Sequence, residues 1–167
     1  METLITIHSG TKEEIYQEVI PQIQSLIDDE PDLIANLANT ASVLKLAFGS
    51  LSWVGFYLMR DGELVLGPFQ GKPACVRISL GKGVCGTSAL SMKAVIVPDV
   101  NQFPGHIACD PDSQSEIVIP IVAGGKTLGV LDVDSALLNS FDETDRRELE
   151  RVVSILLPKF APPKITV

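Results

Sequence analysis

The chain predicts an α+β domain: a mainly antiparallel central sheet of about six strands, with N- and C-terminal helices packed on one face. Three observations carry this. Apolar residues recur at helical spacing near the two ends and in one short central stretch. Between them lie six short segments rich in β-branched and aromatic residues. Two pairs of those segments are joined by tight turns, Asp61-Gly62 and Ala123-Gly124-Gly125-Lys126.

The elements follow in order. Thr11-Lys12-Glu13-Glu14 reads as a capping box opening a helix, with Tyr16, Val19, Ile20, Ile23 and Ile27 at helical spacing. Pro21 kinks this helix or ends its first half. Glu30-Pro31-Asp32 starts a second helix that runs to about Phe48, where Gly49-Ser50 breaks the pattern. Strands are expected over 52–60, 63–69, 75–80, 94–97, 116–122 and 127–134. A short helix falls at 84–92, and 98–113 is a long loop of the kind that is usually functional. Asp142 caps a last helix with Leu149, Val152, Val153 and Leu156 on one face. The whole reads as one domain, 1–167. Residues 1–50 supply the N-terminal helices, and 51–157 supply the sheet, the site loops and the C-terminal helix.

Bulk composition narrows the function. With 167 residues, 46% of them hydrophobic and 20% charged, the chain is long and apolar enough to bury a full core. Lys and Arg total 13 against 21 Asp and Glu, a net charge of −8. That acidity argues against nucleic acid or an anionic membrane as partner. The N-terminus Met1-Glu2-Thr3-Leu4-Ile5-Thr6 lacks the basic-then-apolar pattern of a signal peptide, and no apolar run is long enough to span a bilayer. Three cysteines, an odd number, argue against a fixed disulfide framework and for reduced thiols in a cytoplasmic setting.

Those cysteines are the first candidates for chemistry. Cys75, Cys85 and Cys109 each sit in a Gly/Pro-rich or turn-forming stretch rather than an apolar run, as a working thiol needs access. Cys109 lies on the long loop between Gly105 and Asp110-Pro111-Asp112, a shaped setting for a nucleophile, with two further thiols to resolve it.

Acids are the second. In Gly129-Val130-Leu131-Asp132-Val133-Asp134, Asp132 and Asp134 project to one face of a strand that is otherwise apolar. Such a pair is costly unless exposed or partnered. Glu116, at the start of the neighbouring strand, reaches the same face. Three acids around one hollow suit an ammonium group, and their mutual repulsion keeps one of them protonated as an acid. On the first strand Trp53, Gly55, Tyr57 and Met59 share a face, while Val54, Phe56 and Leu58 share the core face. The Trp-Gly-Tyr side leaves a gap between rings for a small ligand; the plainer alternative is aromatics covering the sheet.

Other patterns are weaker. Gly81-Lys82-Gly83-Val84-Cys85-Gly86 has the glycine spacing of a dinucleotide fingerprint, but no second βα unit follows and no acid ends a strand about twenty residues on. Its plainer use is a turn that aims helix N–H groups into a cleft, where they hold a carboxylate or lower the pKa of Cys85. His106 and Cys109 offer only two metal ligands and no Cys-x-x-Cys pair exists, so no metal site is expected. His106 either favours the Cys109 thiolate or is a surface residue; His8 has no evident role.

Several longer motifs then resemble one family. They are Ser52-Trp53-Val54-Gly55-Phe56-Tyr57, Gly67-Pro68-Phe69-Gln70-Gly71-Lys72-Pro73-Ala74-Cys75, Gly83-Val84-Cys85-Gly86, Val97-Pro98-Asp99-Val100, Phe103-Pro104-Gly105-His106-Ile107-Ala108-Cys109-Asp110, Ser115-Glu116-Ile117-Val118 and Leu131-Asp132-Val133-Asp134-Ser135. In this order, from about Ser52 to Leu156, they resemble the GAF-domain free methionine-(R)-sulfoxide reductases. The resemblance implies a GAF-like domain that reduces free L-methionine (R)-sulfoxide to L-methionine through a cysteine sulfenic acid and a disulfide. It implies Cys109 as nucleophile, Cys75 as resolving cysteine and Cys85 as auxiliary or alternative resolving thiol. Glu116, Asp132 and Asp134 would bind the ammonium and help protonate the sulfoxide oxygen, and Trp53 and Tyr57 would line the pocket for the methyl sulfoxide end. No bound cofactor is expected; reducing equivalents would come from thioredoxin and, behind it, NADPH. The partners implied are the free amino acid, thioredoxin and a second copy of the chain in a homodimer. The rival of another class is a non-catalytic GAF module sensing a small ligand or nucleotide, which needs no redox thiols.

Overall fold

Local signals set the first two helices. Thr11 caps α1 (Lys12–Ile27) through a full capping box with Glu14, and Asp32 caps α2 (Leu33–Ala47) by accepting from the Ala35 N–H. The structure is a computed structural model and describes residues 7–8, 10–107 and 110–160. The helix α1 continues through Pro21, so it does not end its first half there. Pro21 lies on the exposed side of the helix, where water can replace the backbone bond its ring removes.

The strands are β1 (Leu51–Arg60), β2 (Glu63–Gln70), β3 (Arg77–Ser79), β4 (Val95–Val97), β5 (Ser115–Ala123) and β6 (Lys126–Ser135). They form one six-stranded sheet in the order β3-β2-β1-β6-β5-β4, with every neighbouring pair antiparallel. This is the α+β architecture expected. The third strand is shorter than predicted. Cys75 lies before it because the Tyr57 hydroxyl takes the Cys75 carbonyl at 2.9 Å and draws it off the ladder. Between β3 and β4 comes α3 (Gly83–Ser91), and α4 (Glu143–Leu156) closes the fold under a capping box of Asp142 and Asp145.

The helices divide by face. On one side α2 lies on β1 and β2, α4 lies on β5, and α1 packs against both helices. This side buries Val54, Phe56 and Leu58 of β1 with Ile117, Ile119, Ile121, Leu131 and Val133. Polar ties fasten it: the Tyr16 hydroxyl donates to Asp145 at 3.0 Å, and Lys12 bonds Asp142 and Asp145. On the other side α3 packs across β5, β6 and β3 over a smaller cluster with Trp53, Tyr57, Val118 and Val130. That smaller side leaves the cavity. Among the described residues no helix is long and apolar enough to cross a membrane.

Candidate active site

Register between strands assembles the site. Asp132 of β6 pairs with Gly55 of β1 on one side and Val118 of β5 on the other. Asp134 pairs with Trp53 and with Glu116. Alternation puts Trp53, Gly55, Tyr57, Glu116, Asp132 and Asp134 on the same face of three adjacent strands. All but Gly55 line a cavity, closed on its far side by Val84 and Cys85 of α3 and by His106 and Ile107 of the loop.

The expected gap at Gly55 is not open. A β-carbon there would run into the Phe69 Cβ and the Trp53 ring, so the glycine is required for Trp53 to fold back over its own strand. Trp53 then stacks on Phe69, with centroids 5.3 Å apart, and on Tyr57 at 6.0 Å. The aromatics form the wall of the cavity, and the ligand space lies beside them. Their polar ends hold the next loop in place. The Trp53 indole N–H donates to the Lys72 carbonyl at 3.1 Å, and Tyr57 holds the Cys75 carbonyl as described above. Lys72 in turn ion-pairs with Asp110 at 3.2 Å and with Asp112, joining the loop that carries Cys75 to the one after position 109. Periodicity gives no signal for this bridge, because it joins two irregular segments.

The three acids meet as expected, and burial governs their chemistry. Glu116 is 6% exposed and Asp132 7%, which disfavours their charged forms. Glu116 is held well above the usual carboxylate range by burial and then by facing Asp132 and Asp134. Asp134, partly open to the cavity, is raised by desolvation and by Asp132 and Asp110. Burial lifts Asp132 to about 6, opposed by hydrogen bonds from Cys85 and Glu116. Asp132 Oδ1 has no hydrogen-bond partner among the described residues.

The cysteines separate. Cys75, half-buried, is disulfide-bonded, whereas Cys85 is free. Cys109 lies outside the described residues, although Ile107 and Asp110 on either side of that stretch both line the cavity. Cys85 corrects two expectations. It is not accessible, being 3% exposed in the first turn of α3. Its pKa is raised, not lowered: burial comes first and the negative field of Asp132 and Glu116 second, and together they outweigh the helix N-terminus. Its thiol points at Glu116 Oε1, 3.9 Å away. Gly86 just beyond allows this placement, since a β-carbon would meet the Ser79 carbonyl and push α3 off the sheet.

His106 is not a surface residue. Its side chain is 16% exposed, its Nε2 lies 3.9 Å from Glu116 Oε2, and burial lowers its pKa. The turn before α3 brings the first turn of that helix to the cavity. Gly83, Val84 and Cys85 line it, and no side chain caps that helix.

The chain matches the model of the GAF domain over residues 28–156. It is 52% identical over 153 residues to GAF domain-containing protein A of Dictyostelium discoideum, covering 91% of this chain and 96% of that protein. It is 45% identical over 153 residues to the free methionine-R-sulfoxide reductase of Saccharomyces cerevisiae, covering 87% of this chain and 85% of that protein. A solved structure of the free methionine-R-sulfoxide reductase from Neisseria meningitidis, in complex with its substrate, superposes with a TM-score of 0.92 at 49% identity over 95% of each chain. With these relatives and this cavity, the chain belongs to the GAF-domain family of free methionine-R-sulfoxide reductases.

Proposed function

We propose that this protein reduces free L-methionine (R)-sulfoxide to L-methionine, using Cys109 as nucleophile and Cys75 as resolving cysteine. The observation that carries the reading is the buried acid triad beside a disulfide-bonded Cys75. A sulfoxide oxygen leaves sulfur only when protonated, and Glu116 is a buried carboxyl held well above the usual carboxylate range, first by desolvation and then by Asp132 and Asp134. The Cys109 thiolate attacks the substrate sulfur while Glu116 gives its proton to the oxygen. The oxygen passes to the cysteine sulfur, leaving Cys109 sulfenic acid and free methionine. The Cys75 thiol then attacks that sulfur, an S–S bond forms and water leaves. An external dithiol, for which thioredoxin is the expected donor, reduces the disulfide by thiol exchange. That recycling requires a reducing compartment, the cytoplasm in this reading, and a homodimer is the proposed assembly.

The remaining groups fit the free amino acid. Asp132, lifted by burial only to about 6, is largely ionised at neutral pH and supplies a counter-charge for the ammonium. The uncapped first turn of α3 suits the substrate carboxylate. Trp53 and Tyr57 present an apolar wall to the methyl end. The upward shifts of Glu116 and Asp134 also weaken the negative charge that would otherwise oppose a thiolate at Cys109.

NADPH oxidation coupled through thioredoxin and its reductase tests this, with the two free sulfoxide epimers supplied separately. Turnover of the R epimer alone, lost in Cys109→Ser, is the expected result. No turnover of either epimer, with the thiols confirmed reduced, overturns it in favour of a small-ligand or nucleotide-sensing GAF module.

A further inference from the structure

We propose that Cys85, Glu116 and Asp132 form a binding site for a thiophilic divalent cation of the zinc class, which competes with substrate for the cavity. Among the described residues these three each present one ligand atom, and the three atoms lie within 4.8 Å of one another. A tetrahedral zinc ion with sulfur at about 2.3 Å and oxygen at about 2.0–2.2 Å holds such ligands about 3.5 Å apart. Cys85 Sγ and Glu116 Oε1 are 3.9 Å apart, so a few tenths of an ångström close the pair on an ion.

A second observation points the same way. Asp132 is buried, its Oδ1 has no hydrogen-bond partner among the described residues, and the residue lines the same cavity. A buried acceptor left without a donor is costly, and a cation satisfies it directly. Among the described residues the ion pairs reaching this cluster reduce to His106 Nε2 with Glu116 Oε2. That approach, at 3.9 Å, falls on the other carboxylate oxygen and leaves Oε1 facing Cys85. Lys72, on the neighbouring loop, is already engaged by Asp110 and Asp112. The ligand set of one sulfur and two oxygens favours zinc, cobalt or a similar ion over magnesium or calcium, which prefer oxygen alone. An ion here would stand where the proposed proton donor must work, so zinc would act as a reversible inhibitor.

Cobalt(II) is the probe, because a cobalt–thiolate bond gives an intense charge-transfer absorption. The untagged protein is used with Cys75 in its disulfide, where Cys85 is the free cysteine. One equivalent of Co²⁺ is expected to give that band, zinc to bleach it, and excess free methionine sulfoxide to displace the ion. Cys85→Ser is expected to abolish the band, and Glu116→Gln to weaken binding about tenfold or more while keeping the band. Circular dichroism checks that each variant is folded; if Cys85→Ser is not, the affinity of Glu116→Gln decides. No band in the unmodified protein, a band that survives in Cys85→Ser, or an unchanged affinity in Glu116→Gln overturns the proposal. Since the readout is absorption, cobalt binding without sulfoxide turnover would count against the reductase reading alone, and turnover without cobalt binding would count against this site alone.

Discussion

The two faces of the sheet are built from alternate residues of the same strands, yet they are different materials. Val54, Phe56 and Leu58 on β1 point into a closed apolar core under α1, α2 and α4. Trp53 and Tyr57, one residue out of step, face a cavity with three acids and a thiol. The first face is held by apolar packing with a few polar ties at its edge, so its contribution is to stability. The second buries carboxyls at a cost that folding must offset elsewhere, and that burial holds Glu116 well above the usual carboxylate range. The helix-covered face thus carries the penalty of the cavity face, and the two should respond oppositely to mutation.

The largest expected separation comes from Glu116→Gln. It keeps the shape of the side chain and removes the proposed proton donor, so turnover should fall about a hundredfold to ten-thousandfold. Its melting temperature should match or exceed that of the parent, because a buried ionisable group has gone; a large fall in stability would break the division between the faces. Phe56→Ala is the mirror experiment. Phe56 is fully buried in the larger core, and its truncation should cost about 3–5 kcal/mol in denaturant unfolding, with kcat little changed in the surviving folded fraction.

Gly55→Ala tests the seam between the faces. Its β-carbon collides with Trp53 and Phe69, so the indole must move into the cavity. A cost of about 1–3 kcal/mol is expected, with a raised KM for methionine sulfoxide as the specific sign.

The pH dependence sharpens the same contrast. Glu116, Asp132 and Asp134 have folded pKa values above their unfolded ones. Between those values the folded chain holds protons that the unfolded chain has released, so stability falls as pH rises. For Asp132 the window runs from about 3.8 to about 6. Glu14 and Asp142, stabilised as carboxylates by cap hydrogen bonds and by Lys12, act the other way and lose stability as pH falls through their lowered values. Melting temperature should therefore peak at mildly acid pH and decline towards neutral, and Asp132→Asn should flatten the decline. Smallest of all, Thr11→Ala removes one arm of a surface capping box on the helical side, with an expected loss of about 1 kcal/mol and no change in turnover.

How much of this was legible in the chain depends on how far apart the interacting residues lie. The capping boxes, the Asp61-Gly62 hairpin and the six strands are local patterns, and they appear as read, apart from the shortened β3 and the unbroken α1. The pairing of Asp132 with Asp134 on one face also follows from alternation along a single strand. The helix N-terminus beside Cys85 misled, because it is a short-range effect in a place where burial is complete. His106 was ambiguous for a related reason, since loop residues carry no periodicity to say which way they face.

Composition and periodicity alone thus determined the fold class, the core faces of β1 and β6 and the candidate residues for chemistry, because these depend on neighbours within a few positions. Tertiary structure alone decided that Glu116 lies across from Asp134, that Trp53 covers Gly55, that Lys72 joins two loops and that Cys85 is buried among acids. Each of these is set by strand register or by burial, and both arise only when segments tens of residues apart exclude water from one another.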